Sequence, residues 1–451
     1  MNRREWESVF EGVRDCTSEA MQDAIDQWFQ MYFQQEPTEE QDPCQRLPTL
    51  IVSKLSRACF GEYEAKSHNP FGQKLLERLG TVRRKAVQLA LIGGEVWLKP
   101  IAMGDSFSFE VMRRDGVAVF CRNQQGEPVD IASGYEFWQG KKRYTLIERR
   151  TQTHKGVRIE NRLFCSKAAS GGLGMDVPLH SVKEYEWLER ELWLEGIDGL
   201  GLIRLCNQLE NCVDASSDSV SIYAPAVGLI RAINHNERQL WREFEHGESR
   251  VFASADLLRR RRNGQAELPK GLFVGLDDDP QTTGLSIYSP QLRQESFLQR
   301  KKEYLRNLES LIGLKRGLLS EVDSLQRTAA EVTGSSGDYA LTIREIQQIW
   351  EQAIMQAMTL CPKLGKLYCM QGVQEVDFAK DISICWGDGI FPTTESKWQE
   401  TLQMVEMGLL KPEIALGQRF RLPWDTEEQR RKILERYSPI KTQEEIKNGE
   451  G

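Results

Sequence analysis

The sequence predicts an α+β fold in which long amphipathic helices flank one strand-rich region. From residue 292 to 312, and again from about residue 325 to 361, apolar residues recur at helical spacing. Between residues 95 and 166, β-forming residues instead alternate or cluster between turns. A chain of 451 residues with 40% hydrophobic residues is long enough for about two to four folding units.

The first half of the chain is predicted to be an α+β domain. Apolar stripes with helical period predict three helices, at residues 4–34, 50–66 and 70–91. Six strands follow, separated by short turns that suit antiparallel hairpins. They are predicted at residues 95–101, 106–112, 118–122, 133–139, 143–153 and 157–166.

The second half is predicted to be mostly helical, with a small module inserted between two long helices. The first of these helices runs from about Ile222, has Pro225 in its first turn and stops at Gly247. The inserted module is predicted to contain strands at 250–253, 272–275 and 285–288 and a short helix at 255–262. Beyond residue 361 the pattern predicts strands at 372–378 and 381–386, helices at 395–407, 411–416 and 426–437, and a disordered tail at 443–451.

A short cationic loop interrupts the two long apolar stripes of the second half. Lys315 and Arg316 stand between Gly313 and Gly317, and these glycines predict a turn. The two cations have two interpretations. They either contact phosphate groups or neutralise the carbonyl groups at the end of the preceding helix.

Two other segments of the second half stand out. Arg259, Arg260, Arg261 and Arg262 place four adjacent guanidinium groups in the inserted module, where they either bind phosphate or an acidic partner or simply form a solvated helix end. Gly334 and Gly337 lie in the second long helix. Because each glycine costs about 1 kcal/mol in a helix interior, we expect a kink or break there.

Motifs for catalysis, metal binding or cofactor binding are not found. The five histidines lack metal-site spacing, and no P-loop or dinucleotide fingerprint occurs. We therefore expect no enzyme activity, no metal and no cofactor. A net charge of −7 excludes a uniformly basic DNA-binding surface, so any DNA contact is local. No secretory signal or membrane span is predicted, and the ten cysteines are interpreted as free, mostly buried thiols in a reducing cytoplasm.

The order of these elements resembles the portal proteins of tailed bacteriophages, in particular the SPP1-type portal family. Residues 326–333, Gln-Arg-Thr-Ala-Ala-Glu-Val-Thr, resemble the family's Thr-Ala-Thr-Glu-Val segment at the start of its long helix. Residues 241–252 resemble the family's aromatic-Glu-Phe-Glu run before the entering strand. Residues 381–390 and 400–412, including Gly408-Leu409-Leu410-Lys411-Pro412, are similar to the family's C-terminal strand and helical hairpin.

The resemblance implies a portal-like architecture with the following parts: a wing at 1–221, stem helices at 222–247 and 292–312, a clip at 248–291, a tunnel loop at 313–325, a long kinked helix with the rest of the wing at 326–399, and a short helical crown with the tail at 400–451. It also implies a ring of about twelve subunits at the capsid vertex of the virion, assembled in the bacterial host's cytoplasm.

The resemblance further implies that double-stranded DNA passes through the ring without sequence recognition, driven by a separate terminase during packaging and released again at ejection. Lys315 and Arg316 would touch DNA phosphates from the tunnel loop. The arginines at 259–262 would lie where terminase and head-completion (adaptor) proteins dock, and the major capsid or scaffolding protein would be a further partner.

Two alternatives belong to other classes of protein. A non-portal structural protein of a phage, such as a capsid or tail adaptor, is compatible with the same helical composition. A DNA-processing enzyme, such as a nuclease or terminase-like protein, would need Walker or paired-carboxylate motifs, which the sequence lacks.

Overall fold

The structure is a computed structural model that describes residues 3–36, 43, 45–167, 172–247, 250–253, 259–260, 266–267, 285–288, 291–320, 329–386, 394–420, 422, 424 and 426–437. The fold is a mixed α+β fold, as the sequence predicts. The chain divides into two units, residues 1–386 and residues 387–451.

Ten α-helices are described. They are α1 (Glu19–Phe33), α2 (Leu47–Cys59), α3 (Pro70–Gly93), α4 (Val227–His246), α5 (Gln294–Ile312), α6 (Ala329–Leu367), α7 (Phe378–Asp381), α8 (Thr394–Glu406), α9 (Pro412–Phe420) and α10 (Glu427–Tyr437). The last three form the second unit. The helix predicted at 70–91 is confirmed as α3, where the Asn69 side chain accepts hydrogen bonds from the N–H groups of Phe71 and Gly72 and so caps the first turn.

Fifteen strands are described. They are β1 (Glu64–Ser67), β2 (Glu95–Met103), β3 (Ser106–Arg113), β4 (Val117–Arg122), β5 (Pro128–Gln139), β6 (Lys142–Thr153), β7 (Gly156–Lys167), β8 (Met175–Val177), β9 (Glu191–Glu195), β10 (Ile203–Cys206), β11 (Arg250–Ala253), β12 (Arg259–Arg260), β13 (Ala266–Glu267), β14 (Leu285–Tyr288) and β15 (Ile382–Cys385). The six strands predicted between residues 95 and 166 are confirmed as β2 to β7.

The strands form two larger antiparallel sheets and several two-stranded pairs. One larger sheet has the order β10-β2-β3. The other runs β4-β5-β6-β7-β8, with β9 also paired to β7. The sequence did not predict β8, β9 and β10, because three to five residues of mixed polarity give too short a pattern to recognise.

The N-terminal helix prediction is wrong in one respect. Residues 4–34 do not form a single helix: a 3₁₀ helix at Arg3–Ser8 is separated from α1, which begins after the N-cap residue Ser18. The apolar residues on either side of this break pack into different cores. Trp6 and Phe10 pack against the six-stranded sheet, whereas Trp28 on α1 packs among the helices.

Two further predictions are wrong. The helix predicted at 50–66 ends at Cys59, and Glu64–Ser67 form strand β1 paired antiparallel with β15. The strand predicted at 372–378 is absent from that described segment, which is irregular up to α7. In both places long-range pairing or packing decides the local conformation, and a local pattern cannot report it.

The largest core joins α1, α2 and α3 to α5 and α6. The stripe predicted on the second long helix is confirmed, because every member is at most 4% exposed; its members are Ile343, Ile346, Trp350, Ala353, Ile354 and Ala357. The stripe on α5 is only partly buried. Leu305, Leu308 and Ile312 lie in this core, whereas Leu298 and Leu311 are exposed.

Candidate functional site

The candidate site is the cationic turn at the C-terminal end of α5. Helix α5 is held in place by its packing against α4. Several contacts join the two helices: the Arg293 guanidinium donates to both Glu243 carboxylate oxygens at 3.0 and 2.8 Å, and Asn236 donates to the Phe297 carbonyl at 3.0 Å. Strand β11 follows the C-terminal end of α4, strand β14 precedes the N-terminal end of α5, and the two strands pair antiparallel.

Gly313 ends α5 in a left-handed conformation, with φ +71°. The N–H of Leu314 donates to the Glu309 carbonyl at 2.8 Å, and the N–H of Gly313 donates to the Ser310 carbonyl at 3.4 Å. This is the Schellman arrangement, in which glycine tolerates the positive φ and the apolar residue after it packs back. Leu314 is accordingly buried, and the chain direction after α5 is fixed.

The Glu309 carboxylate organises the next turn. This side chain is 0% exposed, and one of its oxygens, Oε1, accepts hydrogen bonds from the N–H groups of Gly317, Leu319 and Ser320 at 3.1, 2.5 and 2.9 Å. The other oxygen, Oε2, accepts from the Gly317 N–H at 3.1 Å and from the Ser320 hydroxyl at 2.9 Å. Residues 317–320 thus wrap around one internal anion. We call these four donors the Glu309 nest.

Lys315 and Arg316 lie on the outside of this turn and are exposed. Within the described part of the chain, neither side chain forms an ion pair. The backbone N–H groups of Gly313 and Leu314, rather than these cations, cap the carbonyls of Ser310 and Glu309. Of the two interpretations offered by the sequence, the arrangement disfavours the helix-end role, because backbone N–H groups already cap these carbonyls.

The turn is also attached to α6. The Thr342 hydroxyl lies 3.3 Å from the Gly313 carbonyl and 3.1 Å from the Asp338 carbonyl. A Cβ added at Gly313 would lie 2.5 Å from the Thr342 hydroxyl oxygen, so only glycine fits there without a shift. The start of the cationic turn is therefore fixed from two sides, by α5 and by α6.

Helix α6 continues through Gly334 and Gly337, so the expected break does not occur. Two glycines cost about 2 kcal/mol relative to alanine, which a cooperative helix of 39 residues can absorb when its second half is buried. A kink at these glycines stays a prediction. The helix also extends past Pro362 to Leu367, beyond the end expected near residue 361.

The arginine run lies partly within the described residues. Arg259 and Arg260 form strand β12, paired with β13 so that Arg259 lies opposite Glu267 and Arg260 opposite Ala266. The short helix predicted at 255–262 is therefore wrong at these two positions. Arg261, Arg262 and the strand predicted at 272–275 lie outside the described residues. The strands predicted at 250–253 and 285–288 are confirmed as β11 and β14.

The part of the chain that the structure describes offers little support for other classes of site. Among the described residues, no cluster of three or more His, Cys, Asp or Glu side chains could hold a metal ion. No described helix combines the length and apolarity needed to cross a membrane. The expectation of mostly buried thiols is wrong: of nine described cysteines, all unpaired, only Cys59 and Cys361 are buried, whereas five are exposed. Burial raises the pKa of the Cys59 thiol to about 12.

Sequence reasoning missed Glu309 and Ser320. One signal was available for Glu309, because a carboxylate in the last turn of a helix opposes the helix dipole and needs a local reason. The four donors that supply this reason converge only after the chain turns at Gly313 and Gly317. The periodicity of apolar side chains does not predict how the chain turns after α5.

Comparison with known proteins adds no relative. No protein-family model matches the sequence, and no curated protein matches it.

Proposed function

We propose that this chain is a portal protein of a tailed bacteriophage, which forms a ring-shaped channel for DNA at the capsid vertex. One observation carries the proposal: two exposed cations lie on a fixed turn between the long helices α5 and α6, and α4 and α5 also bracket an inserted module. This order, read together with the sequence resemblance, suits a DNA conduit better than a catalytic centre.

Under this proposal the ring contains about twelve copies, and the turn of each copy faces the DNA. Lys315 and Arg316 contact phosphates without reading bases, because phosphate contacts carry no sequence information directly. Two cations per copy give a local attraction within an assembly of negative net charge, roughly −80 for twelve chains. The DNA is therefore guided but not trapped, and a separate terminase supplies the driving force.

The remaining parts take the roles that the resemblance implies. The sheets and helices of residues 1–221, with 326–399, form the wing, and α4 and α5 form the stem. Residues 248–291, which include Arg259 and Arg260, form the clip that terminase and adaptor proteins bind. Residues 400–451 form the crown.

Native mass measurement and single-particle imaging of the purified chain test the proposal. We expect a ring of about twelve subunits with an axial channel. A chain that stays monomeric at all concentrations, or a ring without a channel, would contradict the proposal. A ring with a channel that fails to support DNA packaging with its terminase would instead indicate an adaptor protein.

A further inference from the structure

We infer that Glu309 is a positioning residue, an internal anion that occupies the backbone nest of the cationic turn and so determines how Lys315 and Arg316 meet an external polyanion. The part of this inference that concerns DNA rests on the proposed function. The part that concerns the turn rests on its geometry alone.

Glu309 takes the place that a phosphate could otherwise occupy. Successive backbone N–H groups in turns form concavities that bind anions, and phosphate-binding loops use this arrangement. In this chain the N–H groups of Gly317, Leu319 and Ser320 and the Ser320 hydroxyl all point at Glu309 within 2.5 to 3.1 Å. The side chain is fully buried, so the nest is filled from the inside.

Filling the nest has two consequences. The turn is held in one conformation, because each of its inward N–H groups has a charged acceptor. An external phosphate therefore meets the exposed side chains of Lys315 and Arg316 and not the N–H groups of the nest. The hydrogen-bonded turn thus sets the position of the two cations, and their side chains are the groups offered to an external anion.

Amide hydrogen exchange on the full-length protein tests the first consequence. In Glu309→Ala, exchange at Gly317, Leu319 and Ser320 should accelerate at least about tenfold, since their common acceptor is removed. Added formate should restore protection in this variant, because it can occupy the vacated carboxylate position, whereas chloride at equal ionic strength should not. Unchanged protection in Glu309→Ala, or equal rescue by chloride, would overturn the inference.

A matched control comes from the same helix. Glu303 is an exposed glutamate on α5, six residues before Glu309. Glu303→Ala removes the same charge but should leave exchange at residues 317–320 unchanged and insensitive to formate. If Glu303→Ala has the effect of Glu309→Ala, the cause is the net charge of the helix and not the nest.

Binding of duplex DNA across a salt series tests the second consequence. Glu309→Ala should bind DNA several-fold more weakly than wild type, but with the same dependence on salt concentration, because the number of cations is unchanged. Formate should restore the affinity. Loss of amide protection without any change in DNA affinity overturns the positioning role. Wild-type protein that binds no DNA at all contradicts the proposed function and leaves the exchange result standing.

Discussion

Glu95 and Glu309 are both fully buried carboxylates, yet they are satisfied by different partners. Glu95 lies on β2 between two guanidinium groups, 3.0 Å from Arg114 and 2.6 Å from Arg204. Arg114 also pairs with Asp218 at 3.0 Å. Glu309 is instead held by N–H and hydroxyl donors from residues eight to eleven positions further along the chain.

The difference separates two uses of a buried charge. Glu95 joins segments that are far apart in sequence, so removing its charge takes a buried ion-pair partner from both Arg114 and Arg204. The Glu309 nest fixes one local turn at the surface, and its donors can reach water if the turn opens. The first therefore stabilises the unit as a whole, and the second determines the shape of a surface loop.

The largest expected effect on stability comes from removing the charge of Glu95. Glu95→Gln should lower the free energy of unfolding by about 3 to 5 kcal/mol, because Arg114 and Arg204 each lose one buried ion-pair partner. Urea denaturation measures this change. Glu191→Gln is the control, since Glu191 also pairs with an arginine, Arg158 at 2.8 Å, but at the surface, and it should change stability little. Equal losses in the two variants would contradict the distinction.

The second-largest effect is expected from acid, which protonates the buried, ion-paired carboxylate of Glu148. Burial on its own raises the pKa of Glu148, but Arg150 and Lys99 outweigh it and hold the pKa at about 2, against an ordinary value of 4.5. The pKa is depressed in the folded state, so the stabilisation is complete above pH 4.5 and is lost as pH falls towards 2. It amounts to about 3 kcal/mol.

Unfolding midpoints measured from pH 6 to 2 check this pH dependence. Wild type should lose stability steeply below pH 4.5, and Glu148→Gln should lose less over the same interval, because it lacks the titrating group. Parallel curves for the two proteins would show that Glu148 does not carry the effect.

A smaller effect is expected at the nest. Glu309→Gln keeps the size of the side chain but turns an NH₂ group towards donors, so it should cost about 1 to 3 kcal/mol. Limited proteolysis should cut first within residues 313–320, while urea denaturation of the remaining fold changes less than in Glu95→Gln. Cleavage that begins in the six-stranded sheet would argue against a local role.

The smallest effect on stability, and the largest on function, is expected for the two cations. Lys315→Ala combined with Arg316→Ala should leave the unfolding free energy and ring assembly unchanged, because both side chains are exposed, yet impair DNA packaging. The double variant Lys141→Ala, Lys155→Ala removes the same charge from exposed hairpin turns and should package normally. Loss of the ring in the first variant would mean that Lys315 and Arg316 are structural.

The sequence predicted what depends on neighbours in the chain and missed what depends on distant partners. Helix α3 and strands β2 to β7 were predicted because caps, apolar periods and hairpin turns are local signals. The split between Trp6 and Trp28 was missed, since an apolar period does not tell which core a residue enters. At the candidate site, Lys315 and Arg316 were found from their charges, whereas Glu309 was missed because its donors converge only in the folded turn.

The pairing of β1 with β15 can form only late in biosynthesis, after residue 385 has been synthesised. Glu64 to Ser67 leave the ribosome more than 300 residues before their partners, Ile382 to Cys385. At about 5 to 20 residues per second, β1 waits roughly 15 to 60 s for β15. Until then β1 has an open hydrogen-bonding edge, and the aromatic side chains of Phe60 and Tyr63 lack Trp350 and Trp386. A nascent chain interrupted before residue 382 should thus be a target for chaperones and prone to aggregation.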